Sequence, residues 1–381
     1  MRILFICHSL QIKSEWLFRL IENLEGDIGC IATNEPNHKR ISSLQKSLNP
    51  YSAKLIRKFD ENINVRYVYP LILKNLEIKL STSVNYVHFI GFAIKIKNFI
   101  LESKNPTIIH CHGKDIMWDL KDANTGLPIH SPTYFNDLKK IADRAYFLAN
   151  STFTRNQLLE QGIKANRIFI NYFGVNLEPP INKLDNDRFS ILYLGRLVDF
   201  KGPLEVISAF EKASDMGMDG ELIIAGGGEM KNDCEEMIRK SIYKDNIKLI
   251  GWVDKVQAED LYRNADIFTA HNKKDENTNQ VEAFGVTIIE AMSYGLPVIT
   301  GNSGGVTDSV VNNETGYLIE PGDLNDHAQK FLDLYQDKNL RKEMGKKARL
   351  RIKEKFSPDN ERENFHKILQ TIQATQKEII L

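Results

Sequence analysis

The stretch that decides the fold is QVEAFGVTIIEAMSYGLPVIT, residues 280–300. A polar loop ends at Glu282, Gly285 supplies a turn, and the apolar run from Val286 predicts a buried helix. A Gly-Leu-Pro triplet ends that helix, and the next three residues predict a buried strand. The helix N-terminus offers unpaired backbone N–H groups and the positive end of a dipole, which favour an anion. Because Glu290 lies about one turn inside the helix and can accept hydroxyl hydrogens, the pattern predicts a nucleotide-sugar pocket.

A second cluster follows the predicted strand that ends at Leu194. A glycine turn there places Arg196 and Lys201 at the carboxyl end of the strand, where open α/β sheets bind their ligands. Arginine offers a fork that matches phosphate oxygens, and lysine adds a compact positive charge. The cluster therefore predicts a diphosphate site, with a surface helix start that carries two unrelated cations as the alternative.

Both clusters resemble the signature of retaining glycosyltransferases of family four. The runs that begin at Glu282 (E-A-F-G) and Glu290 (E-A-M) stand where that family has E-G-F-G and E-A-M, with Ala283 in place of a common glycine. The resemblance implies an α/β protein of the GT-B fold, with two doubly wound Rossmann-like domains that face each other across a cleft.

The resemblance also implies a role for each matching residue. Glu282 would bind hydroxyl groups of the donor sugar, Glu290 would bind the ribose, and Arg196 and Lys201 would hold the diphosphate. These residues, except Glu290, are also the expected catalytic residues of this half. Further donor contacts are expected at Gly226, Gly228, Trp252, Val253, Phe284, Gly285 and Val286.

The N-terminal half resembles a subgroup of that family that builds surface polysaccharides. His112, Gly113 and Asp115 match the last part of its T-F-H-G-Y-D segment, and Ser14-Glu15 match the start of its S-E-T-F pattern. His112 is therefore expected to face the donor sugar as a catalytic residue. Ser14, Glu15, Gly113 and Asp115 are expected to line the acceptor side of the cleft.

The chain departs from the family pattern in two places. A glycine-rich loop that usually follows the first strand is replaced by residues 8–15, HSLQIKSE. The usual Pro-Ser after the strand that contains Asp266 is replaced by His271-Asn272. Matches to the family pattern are frequent over residues 191–323 and scattered over residues 1–175.

His110 and His112 lie two apart on a predicted strand and so point the same way, which makes a metal site one interpretation. No third ligand stands at a recognisable spacing, and the family uses no metal. We therefore expect no metal and no cofactor, the nucleotide sugar being a substrate, and a structural role for His110.

The length of 381 residues suits two domains. Alternating strand and helix patterns on both sides of a Gly- and Pro-containing linker predict domains at 1–175 and 185–357. The segment 358–381 reads as one amphipathic helix, which the resemblance implies crosses back to the first domain. The segment 88–103 reads as a helix, and residues 67–70 as a short strand.

The charge is unevenly distributed, at +7 over residues 1–180 and −7 over residues 181–381. The basic stretch 51–100, with 8 Lys and Arg against 3 Asp and Glu, fits either an anionic lipid surface or a solvated helix face. Scattered cysteines and the lack of an apolar run of membrane-spanning length favour a cytoplasmic protein, with peripheral contact at the inner membrane surface left open.

The resemblance implies sugar transfer, with retention, from a nucleotide-diphosphate donor to a glycan or lipid-linked glycan in cell-surface polysaccharide biosynthesis. The expected partners are the nucleotide sugar and this acceptor, without nucleic acid. Two other classes remain open. One is a nucleotide-sugar epimerase of the same fold, and the other is a non-catalytic subunit that keeps the pocket.

Overall fold

The computed structural model describes residues 3–7, 28–32, 69–79, 81–179 and 188–380. The chain forms two compact units. The first contains Met1–Leu120, Leu127–Phe173 and Glu361–Leu381, and the second contains Lys121–Gly126 and Gly174–Asn360. The expectations for Ser14, Glu15 and the loop 8–15 lie outside the described residues.

The first unit is built on a parallel six-stranded sheet in the order β2-β1-β3-β4-β5-β6. Its strands are β1 Ile3–Ile6, β2 Ile28–Ala32, β3 Val84–His88, β4 Thr107–Cys111, β5 Ala145–Ala149 and β6 Ile168–Ile170. The residues of β1, β3, β4 and β5 are all buried, as expected for a parallel sheet that is covered on both faces. Its first helices are α1 Tyr69–Lys79, α2 Ile90–Lys95, α3 Lys97–Glu102, α4 Gly113–Ile116, α5 Tyr134–Ala142 and α6 Thr152–Glu160.

Two sequence predictions in this unit are wrong. The segment 88–103 is not one helix, because His88 ends β3, Phe89 turns the chain with φ 72°, and Ile96 breaks the helical part in two. Apolar residues run through the strand and both helices, so periodicity alone does not separate them. The predicted strand at 67–70 is also wrong in its described part, since Tyr69 and Pro70 begin α1, where proline is well tolerated.

The second unit contains another parallel six-stranded sheet, in the order β12-β11-β10-β7-β8-β9. Its strands are β7 Phe189–Leu194, β8 Gly220–Ala225, β9 Ile247–Gly251, β10 Ile267–Thr269, β11 Val298–Gly301 and β12 Gly316–Ile319. Its helices are α7 Pro203–Asp215, α8 Lys231–Lys240, α9 Lys255–Asn264, α10 Val286–Ser293, α11 Leu324–Gln336 and α12 Lys338–Lys355. The direction of strand addition reverses between β7 and β10, which marks the position where ligands bind in this class of sheet.

The last helix, α13 Pro358–Ile380, confirms the predicted amphipathic segment. Phe365, Ile368, Leu369 and Ile372 recur at helical spacing and form one apolar cluster with residues of β1, β3, β4 and β5. The Phe365 ring meets Tyr86 edge-on at 5.7 Å. This helix therefore covers one face of the first sheet. Among the described residues, no helix combines the length and apolar character that a membrane crossing needs.

Candidate functional site

The loops after β7 and β8 are packed backbone to backbone in the second unit. The Gly195 N–H donates to the Ala225 carbonyl at 3.0 Å. A Cβ atom at Gly226 would collide with the Gly195 carbonyl, and one at Gly228 would collide with the Leu197 carbonyl. Gly226 and Gly228 are thus required for the contact between these two loops. The sequence analysis gave only donor contacts as the reason for these glycines. A donor contact at this loop remains a prediction.

Lys201 and Glu282 form an ion pair beside these loops, with Nζ and Oε2 2.8 Å apart. The side chains of Lys201 and Glu282 are only 15% and 16% exposed to solvent. Lys201 ends a 3₁₀ turn, Asp199–Lys201, and Gly202 follows in the left-handed conformation before α7 begins. Two of the predicted donor-binding residues therefore meet directly.

Arg196 belongs to the same cluster. Its guanidinium lies over the ring of Phe200, 5.4 Å from the ring centroid. Burial by itself raises the pKa of Glu282, but the charge and hydrogen bond of Lys201 and the charge of Arg196 lower that pKa below its ordinary value. The cluster thus contains two cations and one ionised carboxylate at the strand-order reversal, an arrangement suited to a phosphate and to hydroxyl groups beside it.

The predicted helix from Val286 is confirmed as α10, and Gly285 precedes it with φ 84°. Oε2 of Glu290 accepts a hydrogen bond from the Tyr262 hydroxyl at 3.1 Å. Tyr262 stacks on Tyr294 with ring centroids 5.1 Å apart. Sequence reasoning missed Tyr262, because a tyrosine on another helix carries no signal that it reaches this carboxylate.

Three other predicted donor contacts differ in exposure. Trp252 is exposed at the end of β9, and a Cβ atom at Gly227 would collide with its indole ring. Trp252 and the half-buried Val253 are therefore accessible to a nucleotide base. The Phe284 ring is buried and packs against Phe356, with centroids 5.8 Å apart. The ring of Phe284 belongs to the core, and only its backbone N–H contributes to the cluster, by hydrogen-bonding to Glu282.

In the first unit, His112 lies directly after β4 and caps the short helix α4. The Asp115 carboxylate accepts from the His112 backbone N–H at 2.7 Å. The second oxygen of Asp115 accepts from the Ile90 N–H at 3.0 Å. Burial raises the pKa of Asp115 to about 7, against the opposing effect of these backbone hydrogen bonds. Asp115 therefore positions His112 and the start of α2, and Gly113 is the first residue of α4.

His112 also contacts two further histidines. One ring nitrogen each of His88, His110 and His112 lie within 4.8 Å of one another, and all three residues are buried. The expectation that no third ligand is present was wrong, because β3 lies beside β4 and pairs His88 with His110. Sequence spacing alone could not identify a ligand from another strand.

Burial decides the charge state of these histidines. Nε2 of His112 lies 3.2 Å from Nδ1 of His88, and the tautomers of the two imidazoles decide which nitrogen donates. Burial lowers the pKa of His112 well below its ordinary value and lowers that of His110 to about 3. Both imidazoles are therefore neutral at neutral pH. The expectation that no metal binds here stays a prediction.

Known proteins resemble this chain most clearly in its second half. Residues 176–351 match the family model "Glycosyl transferases group 1". The capsular polysaccharide biosynthesis glycosyltransferase CapM of Staphylococcus aureus is 35% identical over 182 residues, which cover 48% of this chain and 46% of CapM. The chain aligns with about half the length of the first relatives that it matches.

Solved structures show the fold of the chain as a whole. Sucrose-phosphate synthase of Thermosynechococcus elongatus aligns with a TM-score of 0.74 at 18% identity, over 98% of this chain and 100% of that one. The Anabaena protein HepE, solved with UDP and glucose, aligns with a TM-score of 0.69 at 16% identity, over 97% of this chain and 100% of that one. The fold is GT-B, as the sequence predicted, with two Rossmann-like domains built on parallel sheets.

Proposed function

We propose that the protein transfers a sugar, with retention, from a nucleotide-diphosphate donor to a glycan or a lipid-linked glycan in surface polysaccharide biosynthesis. The observation that carries this proposal is the cluster of Arg196, Lys201 and Glu282 at the strand-order reversal of a group 1 glycosyltransferase domain. The similarity to CapM, a capsular polysaccharide enzyme, supports the class of product.

The reaction breaks the bond between the sugar C1 and the diphosphate oxygen and forms a bond from an acceptor hydroxyl oxygen to C1 on the same face. The acceptor proton passes to the leaving phosphate. Arg196 and Lys201 stabilise the negative charge that develops on that phosphate. In this proposal the two cations supply the neutralising charge, without a metal or cofactor.

The carboxylates of Glu282 and Glu290 have separate roles in this proposal. Glu282 is held ionised by Lys201, so it can accept hydrogen bonds from donor-sugar hydroxyls while Lys201 turns to phosphate. Glu290, which is oriented by Tyr262, binds the ribose hydroxyls. His112, being neutral, hydrogen-bonds the donor sugar through its imidazole.

A panel of UDP-, GDP- and ADP-sugars, screened for thermal stabilisation, identifies the donor, since a ligand that binds only the folded state raises Tm. Arg196→Ala and Lys201→Ala should each lower turnover by about 10²- to 10³-fold, the typical effect of removing one contact to developing charge. Arg188→Ala is a matched control, because Arg188 is paired with Asp219 on the surface and should leave turnover unchanged.

Near-normal turnover in both variants would refute the placement of the diphosphate. The alternatives give different products. An epimerase would convert the donor alone into its epimer, and a non-catalytic subunit would bind the donor and transfer nothing to any acceptor in the panel.

We also propose peripheral contact of α1 with anionic lipid. Ile78 is 70% exposed on this helix, next to the basic Lys79 and one turn from the exposed Lys74. Exposed apolar and basic side chains together favour an interfacial position on anionic bilayers. Sedimentation with phosphatidylserine vesicles should capture the protein, and Ile78→Glu should reduce capture. Equal binding to neutral vesicles and to anionic ones would contradict the proposal.

A further inference from the structure

The segment that follows β10 lies against the turn that carries Lys201. Because β7 and β10 are neighbours in the sheet, their carboxyl ends lie side by side. The His271 N–H donates to the Lys201 carbonyl at 3.1 Å, and the Lys273 N–H donates to the Phe200 carbonyl at 3.0 Å. A Cβ atom at Gly202 would collide with the His271 carbonyl, so the two backbones are in direct contact. The segment 271–273 thus fixes the turn by its main chain.

The side chain of Lys273 adds a second attachment to the same turn. Its Nζ lies 2.9 Å from Asp199 Oδ1 and 2.6 Å from Glu205 Oε1. The Lys273 side chain keeps only 22% of its exposure. Burial alone would lower the pKa of Lys273, but the two carboxylates raise it. Lys273 is therefore a cation paired with two carboxylates of this loop and helix.

A buried chain of hydrogen bonds holds His271 in place. The Gly322 N–H donates to Nε2 of His271 at 2.8 Å, so the proton of a neutral His271 is on Nδ1. That proton is donated to Nδ1 of His327 at 2.9 Å, which leaves the His327 proton on Nε2. His327 then donates to the Thr269 hydroxyl at 2.9 Å, and this hydroxyl donates to the Ile299 carbonyl at 3.1 Å. The direction of every hydrogen bond in this series is fixed by the Gly322 N–H donor at one end and the Ile299 carbonyl acceptor at the other.

The turn Asp199–Lys201 carries one predicted phosphate ligand and contacts the other. Lys201 is its last residue, and the Phe200 ring lies under the guanidinium of Arg196. We propose that the segment 271–273, held by His327, positions Lys201 and Arg196 for the donor diphosphate. His271, His327 and Lys273 are positioning residues in this account, which rests on the proposed function.

Lys273→Met tests the proposal, because it removes the charge and keeps most of the apolar stem. Isothermal calorimetry with UDP, GDP and ADP, and with uridine, guanosine and adenosine, separates phosphate contacts from base and ribose contacts. Lys273→Met should weaken the affinity for the diphosphate about tenfold, the effect of misplacing one charge-assisted contact. The affinity for the nucleoside should stay within about twofold, and Lys273→Arg should restore most of the lost diphosphate affinity.

Lys330→Met is the matched control. Lys330 lies in the same unit, is 26% exposed, and is also paired with two carboxylates, Asp326 and Asp333. The Lys330→Met variant should lose about as much unfolding free energy as Lys273→Met and should keep its affinity for the diphosphate. His327→Phe, which interrupts the buried chain, should weaken diphosphate affinity in the same selective way as Lys273→Met.

Three results would overturn the proposal. Unchanged diphosphate affinity in Lys273→Met would show that the turn does not need the segment. Equal loss of diphosphate and nucleoside affinity would show a general structural defect. A wild-type protein that bound none of UDP, GDP and ADP in the same calorimetry would overturn the proposed function and this inference with it, whereas the first two results leave the proposed function intact.

Discussion

The pair formed by Lys201 and Glu282 allows a quantitative test of the site without knowledge of the donor. At 2.8 Å and an effective dielectric constant of about 20, two unit charges attract by about 6 kcal/mol, most of which desolvation offsets. Removing one partner of a buried pair costs about 3–5 kcal/mol, since the other charge remains buried. Because both side chains keep some exposure and Arg196 still faces the carboxylate, we expect Lys201→Met to cost about 2–3 kcal/mol of unfolding free energy at pH 7.

The pH dependence of this cost distinguishes a charge effect from a packing effect. The folded-state pKa of Glu282 is lowered in the wild type, so the pair contributes above the ordinary glutamate pKa and is lost as pH falls through the lowered value. In Lys201→Met the main partner is missing, and the buried carboxylate takes up a proton at higher pH. The stability difference between wild type and variant should therefore shrink from about pH 7 to about pH 4.

Urea denaturation at both pH values measures the difference. The double variant Lys201→Met/Glu282→Gln should be more stable at pH 7 than Lys201→Met, because it contains no unpaired carboxylate. Lys248→Met is the control: Lys248 is 2.7 Å from Glu221 but 56% exposed, so it should cost at most about 1 kcal/mol. A cost for Lys201→Met no larger than this, or a cost of the same size at pH 4, would refute the reasoning.

The remaining predictions concern the other site residues. His112→Ala should lower turnover strongly and leave calorimetric binding of the nucleoside diphosphate nearly unchanged; loss of that binding as well would contradict the role given to His112. Activity should survive exhaustive chelation, and a loss that one divalent ion restores would contradict the metal-free mechanism. Tyr262→Phe should raise the KM for the donor with little change in kcat, because it removes the hydroxyl that orients Glu290; an unchanged KM would contradict this. Burial raises the pKa of Asp115 to about 7, so the native state binds a proton there and the wild type should lose stability as pH rises from about 4 to 8. In urea denaturation, the Asp115→Asn variant should lose less unfolding free energy than the wild type over that pH range. Equal losses of unfolding free energy would be inconsistent with a buried, protonated Asp115.

The sequence alone predicted the elements of the second unit because its signals are local. Arg196 and Lys201 stand in one loop after one strand, and Gly285 with the following apolar run specifies a turn and a helix in consecutive residues. Propensity, periodicity and glycine conformation act over a few residues, so these elements could be predicted. The GT-B fold was implied instead by the resemblance of these motifs to a known family.

Tertiary structure alone decided which of these residues meet. Strand order places β3 beside β4 and thereby brings His88 to His112, and it places β10 beside β7 and brings Lys273 to the Lys201 turn. The pairing of Lys201 with Glu282 likewise depends on the folded backbone. The physical reason is that hydrogen bonds and ion pairs act over about 3 Å, whereas these partners come from separate strands and loops whose order in the sheet the local sequence does not specify.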